Sequence, residues 1–97
     1  MKLETILQDV HYIQQEGHVV SDMNGDKVMM SIQSGKYYNL GRTGGRIWEL
    51  LADGNTISEI VNILSAEYSI DQSTCGQQVE LFMNSLLKEG LIKQKED

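Results

Sequence analysis

Apolar and polar positions change their period part-way along this 97-residue chain. From His18 the pattern is that of strands. The runs 18-HVVSDM-23 and 27-KVMMSIQ-33 flank 24-NG-25, a dipeptide that accepts the positive φ angles of a type I′ hairpin turn. A second turn at 34-SG-35 leads into 36-KYYNL-40, so residues 18 to 40 read as a three-stranded antiparallel meander. With Ser34-Gly35 as a two-residue loop, Ile32 lies opposite Tyr37 and Ser31 opposite Tyr38. One face then carries Val28, Met30, Ile32 and Tyr37, the other Met29, Tyr38 and Leu40. One helical layer covers only one of these faces, and 37-YYNL-40 forms a sheet edge whose backbone groups need partners.

After Thr43, read as an N-cap, the period becomes helical. Ile47, Leu50 and Leu51 recur at three-and-four spacing with Trp48 beside them, and Gly54 ends the run. The stretch 56-TISE-59 is a capping box that opens a second helix with Ile57, Ile60, Val61 and Leu64 on its buried stripe. A third helix starts near Asp71–Ser73 and runs to Glu89, with Gly90 as the residue after the cap. Its stripe is Cys75, Val79, Phe82, Met83 and Leu86. Residues 1 to 17 fit either a strand, around 10-VHYIQQE-16, or a flexible segment, and 91-LIKQ-94 reads as a short closing strand. The whole is one α+β domain of winged helix-turn-helix type: a sheet over residues 18–40, then three helices over 43–90.

Composition narrows the function. A chain this short has little core to spare for an internal active-site cavity. Its net charge of −6 disfavours phosphate backbones, and the third-helix region is the wrong sign for a DNA reader. Residues 53–90 hold six acidic side chains against Lys88 alone. One cysteine excludes an internal disulfide, early acidic residues argue against a secretory signal, and no apolar run approaches a membrane span. The expected location is the cytoplasm.

No constellation of catalytic type emerges. His11 and His18 lack a neighbouring ligand at metal spacing, Cys75 sits on an apolar helical stripe without a base, and the acids are scattered over helix surfaces. The glycines of 41-GRTGG-45 lack the Lys-Ser/Thr ending of a P-loop and the spacing of the dinucleotide fingerprint. They read as a tight strand-to-helix junction with close helix–sheet packing. Neither a metal nor a cofactor is expected.

The series 37-YYNL-40, 44-GGRIWELL-51, 56-TISEIVNIL-64 and 79-VELFMNSLLKEGLI-92 resembles the PqqD-like family, small winged-helix domains that recognise ribosomally made precursor peptides. The likeness spans about residues 18 to 93. Within that family the block 25-GDKVMMSIQSGKYYNLGRTGGRIWELL-51 is most similar to the stand-alone recognition proteins of lasso-peptide pathways. The resemblance implies a non-enzymatic role. The protein would hold the precursor's leader segment for a separate leader peptidase of the transglutaminase-like cysteine protease class and for a cyclase. An extended leader would add antiparallel beside Lys36–Leu40, in the cleft between that strand and the third helix. Ile32, Tyr37 and Tyr38 are then the expected strand-side anchors, with Lys36 and Asn39 supplying backbone groups. Cys75, Gln78, Val79, Phe82 and Met83 are the expected helix-side floor. Lys36, Arg42 and Arg46 form a basic spot near the strand, and the free edge also permits a homodimer. Two alternatives stay open at this point. One is a carrier presenting a precursor peptide to a radical enzyme in quinone-cofactor synthesis. The other, of a different class, is a DNA-binding or regulatory winged-helix protein.

Overall fold

In the computed structural model, which describes residues 10–95, five strands and three helices follow one another in a strand-first order. They are β1 (Tyr12–Gln14), β2 (His18–Met23), β3 (Asp26–Ser31), β4 (Tyr37–Leu40), α1 (Gly41–Leu50), α2 (Ile57–Tyr68), α3 (Gln72–Lys88) and β5 (Ile92–Gln94). The expected α+β architecture is present: β2, β3 and β4 form the antiparallel meander, in that order, ahead of three helices. A second, two-stranded sheet pairs β1 with β5. The expectation for residues 1 to 17 is therefore resolved from Val10 on, as a strand over Tyr12–Gln14, while its first nine residues lie outside the described ones.

The two hairpins obey different rules. Asn24 and Gly25 take φ of 57° and 92°, the type I′ geometry, and pair Met23 with Asp26. The β3–β4 connection is not the two-residue loop expected at Ser34-Gly35. It spans Ile32 to Gly35, with the Ser31 amide donating to the Lys36 carbonyl (2.9 Å) and the Gly35 amide to the Ser31 carbonyl (2.8 Å). Tyr37 therefore lies opposite Met30 and Tyr38 opposite Met29. The pairing has slipped by two residues, an even number, so every side chain keeps the face read from the sequence. Met29 and Tyr38 face inward; Val28, Met30 and Tyr37 face outward.

α1 covers the inner face. Its start differs from expectation: Leu40, not Thr43, is the N-cap residue and offers no side-chain bond. The Asn39 side-chain oxygen instead accepts from the Gly41 amide at 2.9 Å. The two following glycines exist for packing. A Cβ on Gly44 would stand 2.8 Å from the Phe82 ring, and one on Gly45 2.8 Å from the Lys27 stem. Trp48 and Ile47 then reach a core shared with Met29, Ile60, Leu64, Val79, Met83 and Ile92. α2 opens on Thr56, whose hydroxyl oxygen accepts from the Glu59 amide at 3.1 Å. α3 opens on Asp71, whose carboxylate accepts from the Thr74 amide, and stops where Gly90 takes φ +75°.

Candidate functional site

β4 is the element with something left to give. It pairs with β3 on one side, and among the described residues no strand pairs on its other side. Antiparallel ladders alternate residues whose backbone groups point to the partner with residues whose groups point away. The Lys36 carbonyl accepts from Ser31 while its amide donates to the Ser34 hydroxyl at 3.3 Å, and by the same alternation Tyr38 spends its backbone groups on β3. Tyr37 and Asn39 turn theirs to the free side.

β4 and α3 bound a crevice with a hollow at each end. At the Leu40 end a hollow of about 120 Å³ is walled by Leu40, Gly44, Ile47, Cys75, Val79 and Phe82, and is almost wholly apolar. It exists because Gly44 leaves room for the Phe82 ring. At the Lys36 end lies a wider polar cavity of about 640 Å³. Its walls come from the β1–β2 connection (Glu16) and the first residue of β2 (His18), the end of β3 (Ser31) and the turn after it (Ser34), Lys36 just before β4, Tyr38 of β4, and Glu89 at the α3 terminus. Within the polar cavity the Tyr38 hydroxyl donates to Glu89 at 3.3 Å and the Lys36 ammonium stands 3.8 Å from the same carboxylate.

The expected site residues distribute unevenly over this geometry. Tyr38 faces the crevice, and Cys75, Gln78, Val79 and Phe82 all line its apolar hollow. Met83, fully buried in the core, lines neither hollow. Tyr37, 73% exposed, lies on the opposite, outward face of the sheet, while Ile32, 65% exposed, sits in the β3–β4 turn and lines the polar cavity. Asn39 offers its backbone to the free side; Lys36 has bonded its carbonyl to Ser31 and keeps only its side chain for other work. Leu40, Gly44, Tyr68, Glu16, His18 and Glu89 also belong to the crevice and were not singled out in the sequence. Only Gly44 carried a local signal, as the glycine of a tight junction.

Charge around the site is mostly committed elsewhere. The basic spot expected from Lys36, Arg42 and Arg46 disperses. Arg46 chelates Glu67 (2.7 and 3.1 Å) and reaches Glu49, ties that hold its guanidinium protonated and push the Glu67 carboxyl below its ordinary value. Arg42 lies over Gly25 at the far hairpin. Lys27 bridges Asp22 (2.7 Å) and Glu49 (3.1 Å), and those hydrogen bonds raise its pKa. Burial pushes the Cys75 thiol up, away from nucleophilic chemistry. Among the described residues no group of three or more His, Cys, Asp and Glu could hold a metal ion, and no helix is long and apolar enough to cross a membrane.

A strand with one free side, walled by the last helix of a winged-helix fold, is the arrangement the sequence likeness called for, and comparison with known proteins decides the family. The family model described as coenzyme PQQ synthesis protein D (PqqD) matches residues 26–92, well over half of the chain. The chain belongs to the PqqD family. Among solved structures it is similar to TbiB1 in complex with the TbiA(beta) leader peptide, at 30% identity and a TM-score of 0.76 over 88% of this chain and 99% of that one. It shares its fold with lasso peptide synthetase B1 complexed with the leader peptide, at 21% identity and a TM-score of 0.74 over 84% and 96% of the two chains. A search of curated proteins found no match.

Proposed function

We propose that this PqqD-family protein is a non-catalytic carrier that binds the leader segment of a ribosomally made precursor peptide and delivers it to a separate leader peptidase and cyclase in lasso-peptide formation. The leader adds as a strand on the free side of β4, antiparallel, with side chains entering the crevice toward α3. The observation that carries this reading is the side of β4 left unpaired among the described residues, facing a crevice with an apolar hollow, in a fold whose 30% identical relative is bound to a leader peptide.

Magnitudes assign the roles. Each net backbone hydrogen bond contributes roughly 0.5–1.5 kcal/mol, and part of that is lost to ordering the peptide. Tyr37 and Asn39 together offer few such bonds, so they set register. Affinity comes from side chains: burying one aliphatic or aromatic anchor in the Phe82 hollow contributes about 1.5–3 kcal/mol. Phe82→Asp places a charge on the wall of that hollow. Fluorescence anisotropy with a labelled leader, taken from a short precursor reading frame beside the gene, tests the reading. Binding at micromolar or better that Phe82→Asp weakens at least about tenfold, with an unchanged circular dichroism spectrum, supports it. Equal affinity in the variant refutes it.

The family's description favours one second reading, a carrier for a radical enzyme in quinone-cofactor synthesis. Gene neighbours separate the two. A small protease and an asparagine-synthetase-like cyclase support the first, a radical enzyme the second.

A further inference from the structure

Strand addition on β4 brings a second surface into play, and the inference about that surface rests on the leader-binding reading. Side chains of a strand alternate between faces, so a chain docked on β4 cannot send all of its residues into the crevice. Every second one lands on the outward face of the sheet. That face carries an apolar group among the polar Ser21, Asp26 and Asn39, with Val19, Met23 and Tyr37 exposed and Val28 and Met30 half-buried. Val19, Met30 and Tyr37 form a row across β2, β3 and β4, with Met23 and Val28 beside it. Tyr37 ends the row at the free side of β4, nearly three-quarters exposed. In a fold of this size so exposed an aromatic at a strand edge contributes little to the core.

We infer that the outward face beside Tyr37 is a second recognition surface, occupied by an aromatic or aliphatic side chain of the docked peptide three residues after the one in the Phe82 hollow. The spacing comes from the ladder. An antiparallel peptide runs from the Leu40 end of β4 to the Lys36 end. Its first residue precedes the one opposite Asn39 and so points inward, beside Leu40, which lines the apolar hollow although its own backbone (φ −81°, ψ −16°) has already turned into α1. The next, opposite Asn39, points outward. The next, opposite Tyr38, points into the crevice. The fourth, opposite Tyr37, points outward onto the exposed row. Tyr37 and Asn39 turn their backbone groups to the free side, so the peptide bonds through its second and fourth residues, and the amide of its third faces away from β4. The recognised sequence is therefore aliphatic, any, any, aromatic or aliphatic, with proline tolerated at the third position. That tolerance separates it from an amphipathic helix of the same three-residue spacing, in which an interior proline breaks the structure.

A random twelve-residue peptide library displayed on phage, selected against the immobilised full chain and against Tyr37→Ser, reads this directly. Tyr37 is exposed enough for the variant to fold, which its circular dichroism spectrum verifies. The wild-type pool is expected to fix an aliphatic residue with an aromatic or aliphatic one three positions later, with proline admitted at the third position and excluded from the second, whose amide bonds to Asn39. The Tyr37→Ser pool keeps the first preference and loses the second. In anisotropy, the best selected peptide should bind the variant about two- to tenfold more weakly, the range of an aromatic pair, and a serine at its fourth position should erase the difference. A wild-type pool with one apolar anchor alone, or a fourth-position preference that survives in Tyr37→Ser, overturns the outward surface while leaving strand addition intact. Selection of no peptide at all overturns strand addition and this inference with it.

Discussion

Single atoms decide whether the crevice is open. Gly44 has no Cβ, and adding one would put it 2.8 Å from Cζ of Phe82, closer than carbon atoms tolerate. Gly44→Val is expected to destabilise the fold by about 1–3 kcal/mol in urea unfolding and to abolish peptide binding, because the ring must swing into the hollow it walls. Gly76 is the internal comparison: a Cβ there meets open space, so Gly76→Ala should stabilise α3 by up to roughly 1 kcal/mol. Cys75 supplies a reporter at the same site. Its thiol is buried on the wall of the apolar hollow with its pKa pushed up, so iodoacetamide should label it more slowly than free cysteine at pH 8, and more slowly still with peptide bound. Labelling that peptide leaves unchanged would mean the hollow is not filled. The sequence exposed the residue types here but not their partners. Cys75 and Phe82 were legible as a helical stripe; that Met83 on the same stripe turns fully into the core was not, because the stripe is wider than the crevice.

At the scale of elements, binding depends on which backbone groups of β4 are spent. Tyr38 and Asn39 are neighbours with opposite duties. Proline at Tyr38 removes an amide that belongs to the β3 ladder and is expected to destabilise the sheet. Proline at Asn39 removes an amide from the free side and costs binding, about two- to tenfold, while urea unfolding changes less than for Tyr38→Pro. Because Asn39→Pro also removes the side-chain acceptor of the Gly41 amide, Asn39→Ala is its reference; if proline costs as much beyond that reference as Tyr38→Pro does, the alternation is assigned the wrong way round. This alternation depends on a register that sequence reading missed by two residues. The dipeptide 34-SG-35 resembles a tight turn, yet the chain uses Ile32–Gly35 as the loop, with Gly35 at φ +73°. Turn chemistry names a glycine's need for positive φ but not the length of the loop around it. The faces survived because the shift was even. Thr43 misled for a similar reason: a good capping residue stands near the helix start, but Gly41, at φ +72°, lets the chain turn into α1 three residues sooner.

For the whole molecule, strand order was legible and enclosure was not. The three-strand, three-helix plan comes from periodicity, caps and one Asn-Gly turn. The polar cavity at the Lys36 end gathers Glu16, His18, Ser31 and Glu89 from distant segments, none with a motif, so only the fold brings them together. Global charge points one way throughout. With a net charge of −6 and Arg46 and Lys27 already tied to carboxylates, a labelled DNA duplex should show no anisotropy change at about 50 mM salt, where phosphate contacts are strongest. The central claim, that the free side of β4 receives an extended peptide, is tested most directly by amide hydrogen exchange followed by NMR with and without a bound leader. The amides of Tyr37 and Asn39 should exchange freely alone and become protected on binding, while that of Tyr38 is protected in both states. Saturating peptide that leaves Tyr37 and Asn39 exchanging at their free rates would contradict the account.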